Sequence, residues 1–114
     1  MKFALVAAAL AVALTVPAAS AGSPTLNGTV GPGYTITLTQ GGKKVSSLKA
    51  GKVTIVVNDK GTIHNFHLTG PGVNKATSVS GTGKKTWKVT LKKGTYKYVC
   101  DVHSSVMHGS FKVK

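Results

Sequence analysis

The sequence predicts an all-β sandwich of about eight strands, and three observations carry that expectation. Apolar residues alternate with threonines and lysines at period two, short breaker clusters interrupt the runs, and no credible amphipathic helix follows residue 21. Fourteen glycines in 114 residues, against a usual share of about 7%, agree with a turn-rich chain.

The elements follow from that alternation. Tyr34, Ile36 and Leu38 alternate with Thr35, Thr37 and Thr39; Val53, Ile55 and Val57 repeat the pattern. Trp87, Val89 and Leu91 alternate with Lys88, Thr90 and Lys92, and Phe111 and Val113 with Lys112 and Lys114. Strands are expected near 25–30, 34–39, 52–58, 64–69, 76–79, 85–91, 95–100 and 110–113. Breakers such as Gly31-Pro32-Gly33, Asp59-Lys60-Gly61, Gly70-Pro71-Gly72 and Lys93-Gly94 separate them. The stretch from Gly70 to Gly83 is the least regular and reads as a surface excursion. Ile36, Trp87 and Val99 are expected in the core with the other inward positions, and Tyr96 and Tyr98 face inward with Cys100. Each large apolar side chain contributes about 1.5–3 kcal/mol when fully buried, enough for this domain to fold without staples.

Residues 1–21 read as an export signal. Lys2 precedes an apolar run, Phe3 to Val16, broken only by Thr15; Pro17 ends it, and Ala19-Ser20-Ala21 offers a small-x-small cleavage site before Gly22. The run is shorter than the roughly 20 residues of a membrane span. The expected domain is therefore 22–114, in the periplasm or outside the cell.

Fifteen lysines, no arginine and two acids, Asp59 and Asp101, give a formal charge of +13. Two carboxylates so far apart in sequence speak against paired-acid catalysis. One cysteine excludes an internal disulfide framework and a cysteine-paired zinc finger. The clusters Lys43-Lys44, Lys84-Lys85 and Lys92-Lys93 suit acidic protein partners or contact with an anionic membrane or cell-envelope surface. Nucleic acid is not expected, because arginine is absent and no basic-aromatic stacking platform is evident. The chain is expected to be a monomer.

The segment that carries chemistry is Gly94-Thr95-Tyr96-Lys97-Tyr98-Val99-Cys100-Asp101-Val102-His103-Ser104-Ser105-Val106-Met107-His108-Gly109. Upstream lies Thr62-Ile63-His64-Asn65-Phe66-His67, with a histidine opening a strand. Cysteine thiolate, two imidazoles and a thioether are the donors of a trigonal copper site with a weak axial sulfur. Thiolate and thioether suit copper(I) and imidazole suits copper(II), so a mixed set holds both states. The ligands must be deprotonated, so binding should weaken in acid. The bland alternatives stay open: Cys100 as a buried hydrophobe, and His67 and His108 as ordinary histidines. His67 has strand parity opposite to His64 and should not face the same metal. His108 could replace Met107 or bind a second ion.

The Gly-Thr-Tyr-Lys-Tyr-Val-Cys-x-x-His segment, the Met-x-Gly after it and the His64-Asn65 pair resemble the plastocyanin/azurin family of small blue copper proteins. That resemblance, over most of 45–114, implies a cupredoxin-like Greek-key sandwich with one copper per chain. It implies His64, Cys100 and His103 as equatorial ligands and Met107 as the axial one, with Asn65 hydrogen-bonding the ligand loop and steadying Cys100. Val102 stands where many family loops have proline. The implied function is one-electron transfer between redox proteins, not catalysis; a copper store or chaperone with the same ligands is the alternative. The His103 ring edge is expected at the surface beside Val102 and Val106.

Overall fold

Two five-stranded sheets face each other across one core. A computed structural model describes residues 22–114; the expected export segment, residues 1–21, lies outside the described residues. The strands are β1 (Thr25–Val30), β2 (Ile36–Gln40), β3 (Lys43–Lys44), β4 (Ser47–Leu48), β5 (Gly51–Asp59), β6 (His67–Gly70), β7 (Val73–Ala76), β8 (Gly83–Leu91), β9 (Gly94–Val99) and β10 (His108–Val113). The first sheet runs β3-β2-β1-β5-β8 and the second β4-β10-β9-β6-β7. The β1–β5 and β4–β10 pairs are parallel and the others antiparallel.

The all-β sandwich is as expected, with ten strands in place of eight. The two additional strands, β3 and β4, are two residues each, too short for alternation to show. The strand expected over 64–69 begins at His67, because residues 61–66 form a turn and an extended approach. The strand expected over 76–79 lies at Val73–Ala76, hairpinned on β6 through the Gly70↔Val73 pair. The irregular stretch is thus an edge strand followed by a loop, not a surface excursion throughout.

Alternation becomes burial along β5, where Val53, Ile55, Val57 and Asp59 point inward. Leu26, Leu38, Leu68, Leu91, Phe111 and Val113 complete much of the core, and Tyr96 and Tyr98 are buried within it as expected. Ile36, Trp87 and Val99 are only half-buried; Ile36 and Trp87 pack against the core edge. Two ring stacks fill the space between sheets: Phe66 on Tyr98 at 5.5 Å and Tyr96 on Phe111 at 5.2 Å. Gly28 in β1 admits the first, since a β-carbon there would stand 2.9 Å from the Phe66 ring.

The registers also sort the loops into two ends. Val30, Asp59, Gly83, Val99 and His108 finish or begin their strands at one end. Gln40, Gly51, Leu91, Gly94 and Val113 do so at the other. All four proposed ligands belong to the first.

Candidate metal centre

Strand β9 delivers Cys100 at its end, after which Asp101–His103 forms a single 3-10 turn. Two backbone bonds from His103 and Met107 seal the loop: His103 N donates to Cys100 O at 3.1 Å and Met107 N to His103 O at 2.9 Å. Cys100 N donates in turn to Met107 O at 3.0 Å, so the loop closes on itself before β10 begins. His64 arrives from the opposite direction, in the extended approach to β6. Its ring packs close to Gly31 and Gly61, where a β-carbon would sit 3.0 and 2.9 Å from Cδ2.

These segments bring three donors together. His64 Nδ1 lies 3.2 Å from His103 Nδ1, and Cys100 Sγ lies 3.7 Å and 3.6 Å from those nitrogens. A triangle with these sides has its centre about 2.0 Å from every corner, close to the bond lengths of a first-row metal to nitrogen and sulfur, about 2.0–2.3 Å. The donors therefore fit a trigonally bound ion without rearrangement. Cys100 and His64 are fully buried, and His103 is half-buried. His64 Nε2, buried and without a partner among the described residues, leaves Nδ1 as the nitrogen facing the other donors.

Met107 is fully buried and tied by its backbone to both Cys100 and His103. His108, the alternative to it, is exposed on β10 opposite Val99. His67 does not join the cluster, yet strand parity is not the reason, since His64 lies outside the strand. His67 instead sits between two oxygens: Nδ1 donates to Asp101 at 2.9 Å and Nε2 to Asn74 Oδ1 at 2.7 Å.

Asn65 does hydrogen-bond the ligand loop. Its amide donates to Asp101 Oδ2 and its carbonyl accepts from Asp101 N, each at 2.8 Å. Its partner is the residue after Cys100, so it steadies the thiol through the backbone. Burial acts to raise the Asp101 carboxyl, but hydrogen bonds from Asn65 and His67 outweigh it and hold the group below its usual range. The same bond to Asp101, then that to Asn74, raises His67 against a smaller opposing effect of burial.

Sequence reasoning missed Asp101, Asp59 and Tyr34. Burial raises the Asp59 carboxyl, which accepts from Gly61 N at 3.1 Å and from Thr77 Oγ1 at 3.4 Å. Thr77 Oγ1 accepts in turn from Phe66 N at 2.9 Å, bracing the segment that carries His64. Both acids of a lysine-rich chain thus flank the centre. Tyr34, read as a strand residue, lies in the loop before β2 and is 61% exposed. Its ring stands edge-on to His103 at 4.9 Å and to His64 at 5.4 Å. The adjacency of Asp101 to Cys100 was a usable signal; nothing local marked Tyr34.

The model of the cupredoxin-like domain matches residues 4–113. The chain belongs to the cupredoxin-like domain family. No curated protein matches it in sequence. Among solved structures, this cupredoxin is similar to the copper protein rusticyanin (TM-score 0.59, 22% identity, covering 79% of this chain and 76% of that one). A methionine-to-glutamine mutant of rusticyanin gives 0.58 at 23% identity over the same shares. A chain of a heme-copper terminal oxidase dimer gives 0.54 at 20%, covering 84% and 68%. At these identities the likeness is one of fold.

Proposed function

We propose that this cupredoxin is a type 1 copper protein that carries single electrons, and the observation that carries this reading is the convergence of His64 Nδ1, Cys100 Sγ and His103 Nδ1. Bound there, copper supplies a reversible one-electron Cu(II)/Cu(I) couple. His64, Cys100, His103 and Met107 would hold it, the first three through the converging donors and Met107 through its buried thioether. Asn65 and Asp101 hold the two ligand segments at fixed separation and Thr77 braces the His64 segment, so the donors need not move when the charge changes. Burial of Cys100, His64 and Met107 keeps water and substrates from three sides; this supports a carrier over an enzyme.

His103, half-buried where the other donors are buried, would be the ligand at which a partner comes nearest the bound copper. Tyr34, Ile63, Val102 and Val106 are the large hydrophobics exposed among the described residues, and each touches or neighbours a ligand segment. They form an apolar docking face for an exported redox partner.

Visible absorption of the copper-loaded protein tests the reading. A carrier gives an intense blue thiolate-to-copper band that bleaches and returns on reduction and reoxidation. A pale complex, or binding of copper(I) alone, would move the assignment to copper storage or delivery. Cys100→Ser should abolish the band, and a surviving band would remove Cys100 from the site.

A further inference from the structure

The charge of this chain is not spread evenly over the sandwich. Strand registers place Lys43, Lys44, Lys49, Lys52, Lys92, Lys93, Lys112 and Lys114 at the end opposite the metal centre. All eight are exposed. Ala50 N donates to Lys114 O, and Lys114 N to Leu48 O, which ties the end of β10 to the β4–β5 turn that passes from the second sheet to the first. No acidic side chain lies at that end, because Asp59 and Asp101 are both at the metal centre. The metal end carries Lys60, Lys84 and Lys85, the two acids and the apolar face.

We infer that the lysine end is a docking surface for an anionic lipid bilayer, which holds the metal end outward. Charge complementarity is the first argument: a pole of lysines without acids is attracted to anionic headgroups, whereas its dipole turns the other end away. The second is where the chain enters the domain. The expected export segment, residues 1–21, leads into Gly22, three residues before β1 starts at this same end, so until it is cleaved it holds this pole, and not the metal end, at the membrane. Pro24 O accepts from Thr54 N there, so the entry point is fixed to the sandwich. An acidic protein would also meet the charge, but would not explain why the entry point shares the pole. The inference is independent of copper.

The test is cosedimentation of the protein, in the form its exporting host yields, with two vesicle preparations. One is phosphatidylcholine and the other an equal mixture with phosphatidylglycerol. The readout is the gain in partitioning due to anionic lipid, which high salt should abolish. Two triple variants remove equal charge: Lys43→Gln, Lys92→Gln, Lys93→Gln at the far end, and Lys60→Gln, Lys84→Gln, Lys85→Gln at the metal end. The far-end variant should lose the gain by about 10- to 100-fold, and the metal-end variant by only a small factor. All six side chains are exposed, and circular dichroism checks that both variants fold. Equal losses would overturn the inference, leaving net charge alone. So would the absence of any gain, including the case in which the protein binds heparin but not vesicles.

Discussion

Asn65 and Asp101 exchange two hydrogen bonds of 2.8 Å, amide to carboxylate and backbone N–H to amide oxygen. One residue follows His64 and the other follows Cys100, so a single reciprocal pair sets the distance between the two ligand segments. Asn65→Ala removes both bonds and leaves the Asp101 N–H without its partner. Chemical denaturation of the metal-free protein should show a loss of about 1–3 kcal/mol. Copper should still bind, because all four proposed ligands remain, but a chelator should remove it faster. Unchanged stability and unchanged release would show that the pair positions nothing.

The His67–Asp101 contact gives a pH window. The partners raise His67 above its ordinary 6.5, so its contribution is complete below that value and is lost as pH climbs through the raised one. Asp101 is lowered from 3.8, so its share is complete above 3.8 and is lost as pH falls through the lowered value. The pair is therefore strongest between these two ordinary values. Unfolding midpoints of metal-free wild type and His67→Gln should differ most near pH 5 to 6 and converge in alkali, roughly above the imidazole range. A gap constant with pH would show that the contact is not ionic.

Tyr34 is the exposed residue with most to do at the centre. Tyr34→Ala should lower the unfolding midpoint only by the few degrees that loss of an edge-on contact allows, because the side chain buries little. An edge-on aromatic pair is worth about 0.5–1.5 kcal/mol, so copper extraction by a chelator should quicken by roughly 2- to 10-fold. Equal extraction rates would rule out a shielding role.

Gly109 closes the Met-x-Gly motif and is the second residue of β10. A β-carbon at this position would clash with the hydroxyl-bearing edge of the Tyr98 ring, which stacks on Phe66 beside Asn65. Gly109→Ala should destabilise by at least about 1–3 kcal/mol and perturb the visible band as well. A fully stable variant with an unaltered spectrum would mean that Tyr98 has room to move.

The long strands were legible because one face of each meets the core and the other meets water, as in β5 and β8. The donors His64, Cys100 and His103 were legible because few uses require a thiol followed by a histidine three residues on. Val73–Ala76 was misplaced because only Val73 is buried there, so the strand carries no alternation. Tyr34 and Asp59 were invisible for a different reason. Their roles depend on a fold that brings the ends of β1 and β5 to a loop some forty to seventy residues later, and no local pattern records that meeting.

Cys100 is the lone thiol and is completely buried. In the folded molecule no second chain can reach its sulfur. A disulfide-linked dimer can arise only from molecules that have opened, so the dimer fraction in an oxidising compartment counts past unfolding events. Slow dimer growth in metal-free protein would then report the opening rate itself, and each opened molecule that pairs is withdrawn from the pool able to take up copper.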